Sequence, residues 1–168
     1  MPSHAIDSIA SRLVHLARER GWQLSTAESC TGGLVAAALT DIPGVSQVFG
    51  YGFVTYANAA KERLLHVAPE LLETHGAVSA EVATAMAAGA LQQSHAQLAV
   101  AVTGIAGPGG GSAEKPVGLV HFGVAVQPTR HTPVVLRHAQ LHFEGDRTEI
   151  REQAAVHALV LMLDEIDT

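Results

Sequence analysis

Leu98–Thr103 reads LAVAVT, five apolar residues closed by a threonine, with no polar position to mark a solvent face. A run of strand length that is apolar on both sides is what a helix-covered strand looks like, so it is read as the buried centre of a sheet. Upstream lies the alanine-rich helix Ala80–Gln93, with Ser79 as its cap. Downstream, the glycine-rich Gly104–Pro116 is a loop, and Val117–Val126 and Val134–Phe143 read as two strands separated by Gln127–Pro133. That spacing suits an antiparallel pair. Asp146 and Glu149 then make a capping box for a last helix with apolar Ile150, Ala154, Ala158, Leu161 and Leu163.

Further upstream the pattern alternates. Ala5–Arg20 carries Ile6, Ile9, Leu13 and Leu16 at helical spacing and stops at Gly21. Trp22–Thr26 is a short strand, and Thr31–Thr40 a helix broken by Asp41–Gly44. Val48–Tyr56, VFGYGFVTY, is a strand with Gly50 and Gly52 on one face, where something packs closely. Asn58 caps a helix carrying Lys61, Leu64 and Leu65, and Pro69 opens a short helical piece ending near Gly76. The order α-β-α-β-α-α-β-β-β-α predicts an α/β fold, one mixed sheet between helical layers, with residues 1–168 as a single domain. Ligand sites in such sheets gather where strands end and loops diverge.

Composition narrows the class of function. At 48% hydrophobic and 15% charged, a chain of 168 residues supports a full core. The net charge of −6, without a basic block, argues against a nucleic-acid surface. One cysteine excludes an internal disulfide framework and fits a reducing compartment. No stretch approaches a membrane span and the first residues show no signal peptide, so a soluble cytoplasmic domain is expected.

The chemistry centres on Thr26–Gly33, TAESCTGG, which places Ser29, Cys30 and Thr31 on a strand-to-helix turn. A helix N-terminus offers unpaired N–H groups and a positive dipole end, and a hydroxyl there can act as a nucleophile beside an oxyanion hole. The same residues also suit an N-cap and a turn made by Gly32 and Gly33. With Asn58 as cap, Lys61 falls in the first helical turn, against the dipole. Burial and dipole would both lower its pKa and fit it as a general base for Ser29, whereas an ordinary lysine there is a solvated surface group. Cys30 is the rival nucleophile. The loop lacks both P-loop and dinucleotide-fold spacing, yet its glycines and Lys115 could face an anion. Thr103 either turns its hydroxyl into a site or ends its strand. Arg147, in the first turn of the last helix, fits a bound phosphate or carboxylate, or else pairs with Glu144 or Glu149. Among ten histidines, His138 and His142 lie four apart on a strand with no third ligand, so no metal or other cofactor is expected.

TAESCTGG, GFVTYANAAKERLL, HGAVSAEVATAM, VTGIAGPGGGSAEKPVG and FEGDRTEIREQAA, in this order, resemble the C-terminal domain of the CinA (competence/damage-inducible) family over residues 5 to 164. Ala57 and Ala59 are small local departures. The resemblance implies a three-layer α/β/α fold with a mixed, mostly parallel five-stranded sheet, in a protein that is often a homodimer. Stand-alone members, the PncC type, are nicotinamide-nucleotide amidohydrolases. The implied reaction is hydrolysis of the carboxamide of nicotinamide mononucleotide, NMN. The family's serine, lysine and tyrosine fall on Ser29, Lys61 and Tyr56, and Thr103 takes a position where a hydroxyl is usual. Read with the chemistry above, Tyr56 orients the Ser29–Lys61 pair and the backbone around Cys30, Thr31, Gly32 and Gly33 receives the oxyanion. Thr103, Gly104, Gly107 and Arg147 contact substrate. A non-catalytic nucleotide-binding module, or an amidase for another small amide, are the alternatives.

Overall fold

Seven residues of strand β3 (Leu98–Gly104) hold the middle of the sheet, and all but the last are buried. In this computed structural model, which describes residues 3–168, β3 lies between β1 (Leu24–Glu28) and β4 (Leu119–Val126). The full order is β2-β1-β3-β4-β5, with β2 spanning Phe49–Val54 and β5 Val135–His142. Pairing of β1 with β2 and with β3 is parallel, and β4 is antiparallel to both β3 and β5. The sheet is therefore mixed, with β4 alone running against the other four strands.

Alternation along β3 sorts the two helical layers. Leu98, Val100 and Val102 join a cluster with α1 (Ser3–Arg20), α2 (Leu34–Thr40) and α6 (Arg147–Ile166). Ala99 and Ala101 join the cluster of α3 (Asn58–Leu65), α4 (Pro69–His75) and α5 (Ala80–Ser94). The second face is made of small residues, and this lets α5 come down onto the sheet. A methyl at Gly123 would collide with the Ala83 backbone, and one at Gly89 with that of Leu65. Such backbone approach is a reason for glycine inside regular elements. At Gly52 the crowding is by side chains, an added Cβ lying 3.0 Å from Phe49 and Thr26 and 3.3 Å from Ala36 of α2; Gly50 has no neighbour within 4 Å.

Local signals explain most element ends. Gly21 stops α1 at φ +65°. Ser79 accepts from the Val82 N–H at 3.2 Å, and Asp146 and Glu149 form the expected capping box. Most strand ends shift by one or two residues, and three differences bear on the site. Strand β1 runs two residues further, to Glu28. Helix α2 begins at Leu34, because Gly32 and Gly33 adopt φ +58° and +109° and cannot continue it. Asn58 does not cap α3: Ala57 holds that place, with no side-chain cap, and Lys61 is the fourth helical residue. Among the described residues no helix is long and apolar enough to cross a membrane.

The consequence for function is directional. β1, β2, β3 and β5 all end on the same side of the sheet. The turn 29–33, the segment 55–57, the loop after Gly104 and the N-terminus of α6 are thereby delivered to one place.

Candidate active site

Helix α3 buries Lys61 and Leu65, one turn apart, against α5 and the sheet. The lysine is 0% exposed, while Ser29 is half-buried. Lys61 Nζ lies 2.8 Å from the Thr55 carbonyl, 3.0 Å from the Tyr56 carbonyl and 3.1 Å from Ser29 Oγ. No carboxylate among the described residues lies within ion-pair distance of it. Burial pushes its pKa down from the usual lysine range, opposed only in part by the neighbouring Cys30. The three oxygens around Nζ match the three N–H donors of an ammonium; once deprotonated, the amine has two donors and one lone pair to share among them.

The turn carrying Ser29 is fastened from within. Glu28, fully buried, accepts from the Val35 and Ala36 N–H groups at 2.9 and 3.0 Å. This carboxylate occupies the start of α2, so the helix end is not free for an oxyanion as the sequence had suggested. Ser29 N–H donates to the Val102 carbonyl, Gly32 N–H to that of Ser29, and Leu34 N–H to that of Thr31. Of the four turn amides expected to face an oxyanion, that of Gly32 is therefore engaged. Those of Thr31 and Gly33 have no backbone acceptor among the described residues, and that of Cys30 faces its own thiol. Arg151 closes the other side of the turn, its Nε 2.9 Å from the Cys30 carbonyl and a terminal nitrogen 3.2 Å from that of Thr31.

Cys30 is a poor rival nucleophile. It is buried, and burial pushes its thiol up to about 11 despite the opposing backbone hydrogen bond at Cys30 and the Arg151 charge. Tyr56 meets Lys61 through its carbonyl, not its ring. Its phenol is exposed and lies 3.0 Å from Arg147, whose other nitrogen donates to the Gly107 carbonyl at 2.7 Å. Arg147 pairs with neither Glu144 nor Glu149, because Glu149 is engaged in the capping box. Thr103 donates its hydroxyl to the Ala77 carbonyl at 2.8 Å, which fastens the segment after α4. Gly104 packs against Val120 and the Leu119 carbonyl, so it serves the sheet. Lys115 donates to the His75 carbonyl. His138 meets His121 at 2.9 Å across the strands, and not His142.

Sequence reasoning missed Glu28 and Arg151. Glu28 stands inside TAESCTGG, where an acid in an otherwise buried strand was the available signal. Arg151 lies four residues after Arg147, the helical spacing that puts both on one face of α6.

Fold and site together define a class: an α/β domain with a buried lysine set against a serine where parallel strands end. The chain belongs to the CinA C-terminal domain family, whose model matches residues 6–166. It is 53% identical over 148 residues to the nicotinamide-nucleotide amidohydrolase PncC of Enterobacter agglomerans, covering 88% of this chain and 87% of that protein. With a CinA-like protein of Mycobacterium avium it shares 50% identity over 157 residues, spanning 94% of this chain but 35% of the larger protein. The crystal structure of the competence/damage inducible protein CihA from Agrobacterium tumefaciens superposes with a TM-score of 0.88 at 49% identity. That match covers 98% of this chain and 96% of the other.

Proposed function

We propose that this domain hydrolyses the carboxamide of NMN to nicotinate mononucleotide and ammonia, with Ser29 as nucleophile and Lys61 as general base. The carrying observation is the 3.1 Å approach of a fully buried lysine amine to a partly exposed serine hydroxyl. The relative named as a nicotinamide-nucleotide amidohydrolase supplies the substrate class.

The lone pair of Lys61 takes the Ser29 proton as Oγ bonds to the carboxamide carbon, and the carbonyl electrons move onto oxygen. Turn amides left without acceptors, that of Thr31 among them, hold the oxyanion. On collapse the C–N bond breaks, and the leaving nitrogen takes the proton from the Lys61 ammonium to depart as ammonia. Water then adds to the acyl carbon and gives a proton to Lys61. The ester bond breaks, Lys61 returns the proton to Ser29, and the acid gives its remaining proton to solvent water and leaves as carboxylate. Arg147, held by Gly107 and Tyr56 and paired with no carboxylate among the described residues, takes the substrate phosphate. In this reading residues 1–168 act as one domain in a cytoplasmic homodimer, with Tyr51 and Val54 exposed on edge strand β2 as apolar surface for the partner.

The test is ammonia release on incubation with NMN, alongside binding. Release that Ser29→Ala abolishes in a folded protein supports the reading. NMN binding without release would replace it with a nucleotide-binding module, and release only from other amides in a panel would move the substrate. Retained turnover in Ser29→Ala with loss in Cys30→Ala would overturn the nucleophile.

A further inference from the structure

Arg151 stands outside the reaction as just described, yet its guanidinium is placed on the main chain of the nucleophile's turn. It reaches across from α6 to two successive carbonyls, those of Cys30 and Thr31, at 2.9 and 3.2 Å. No carboxylate among the described residues pairs with it. Space for it is made by Gly32, where an added Cβ would sit 3.1 Å from the terminal nitrogen.

A trans peptide is planar, with C=O and N–H pointing in opposite directions. Holding the Cys30 carbonyl therefore directs the Thr31 N–H away from Arg151. Holding the Thr31 carbonyl does the same for the Gly32 N–H, which donates to the Ser29 carbonyl at 3.1 Å and tightens the turn. The Thr31 N–H has no acceptor among the described residues.

We infer that Arg151 is the positioning residue of the oxyanion site: its fork fixes the Cys30–Thr31 and Thr31–Gly32 peptides so that the Thr31 N–H meets the developing oxyanion. This rests on the serine-amidase reading for its catalytic half, and on geometry alone for its positioning half.

The experiment compares wild type with Arg151→Gln and Arg151→Lys. In Arg151→Gln, kcat for ammonia release from NMN should fall about a hundredfold, the scale of one displaced oxyanion donor. KM should stay within a few fold and the thermal midpoint within a few degrees. Arg151→Lys, which can hold one carbonyl but not bridge two, should recover part of kcat. Equal losses in kcat/KM and melting temperature, with no recovery in the lysine variant, would overturn the inference in favour of a packing role. A second readout needs no substrate: amide chemical shifts of Cys30, Thr31 and Gly32 in 15N-labelled protein. These should move in Arg151→Gln while the rest of the sheet stays unchanged. Unmoved shifts overturn the positioning claim. Wild type that releases no ammonia while those shifts do move overturns the amidase reading and leaves the positioning claim standing.

Discussion

Two connections leave the same end of the parallel strands and are built in opposite ways. The turn 29–33 joins β1 to α2 in five residues and is held from both sides, by the Glu28 carboxylate and the Arg151 guanidinium. The stretch after β3 runs from Ile105 to Gly118, exposed over residues 108–114 and pinned at separate points by Arg147 and Lys115. A reacting hydroxyl must stay within a fraction of an ångström of its base, which a short cross-braced turn achieves. A loop with few anchors can adapt around a substrate. On the proposed reading, bond-making falls to the turn and substrate contact to the loop.

That division can be broken first at the turn. Ser29→Ala should lower kcat by more than about a thousandfold, in line with loss of a nucleophile, while leaving the unfolding transition in place; ammonia assay and thermal melts decide it. Lys61→Met should be as inactive, and it carries a second signature. The folded pKa of Lys61 is below the unfolded one, so between the two the unfolded chain holds more protons and wild-type stability rises with pH. Below the folded value the full penalty is present. Lys61→Met should flatten that slope, and wild-type kcat/KM should rise with pH through one ionisation below the usual lysine range. Melting curves and rate profiles across neutral to alkaline pH measure both.

Glu28→Ala comes next. It leaves two N–H groups at the start of α2 without their acceptor, so unfolding in denaturant should show a loss of about 3 kcal/mol, together with reduced kcat. On the loop side, Arg147→Gln should raise KM for NMN about tenfold or more. For the same amide lacking the phosphate it should do little, with kcat nearly kept in both, and parallel kinetics on the two substrates give the ratio. The smallest effect belongs to Gly109→Ala. An added Cβ there meets nothing within 4 Å, so activity and melting temperature should match wild type. A large loss would show that the loop is more tightly specified than its few anchors suggest.

Strand and helix types were legible because burial writes itself into apolar pattern: LAVAVT became the central strand, and the Asp146–Glu149 box formed as read. The end of β1 was not, because Glu28 is charged yet buried, a combination that periodicity assigns to a turn; Ser25 and Thr26, read within the strand, are polar and buried too. Ser25 is accommodated by donating to the Tyr51 carbonyl, a partner 26 positions away. The site shows the same limit. Ser29 and Lys61 were readable as candidates from their local settings, but the use of the Tyr56 carbonyl in place of its ring was not. Nor was the engagement of Thr103 by Ala77, since both depend on where distant segments meet. Arg151 escaped for that reason, acting 120 residues from the carbonyl it holds.

The burial of Cys30 has a consequence for the conditions under which this domain can work. Oxidants and alkylating agents attack thiolates, and a sulfhydryl pushed up to about 11 by burial in the core presents almost none at neutral pH. Peroxide exposure that silences enzymes relying on sulfur should therefore leave the proposed amidase turning over, its one sulfhydryl packed as filler in the core.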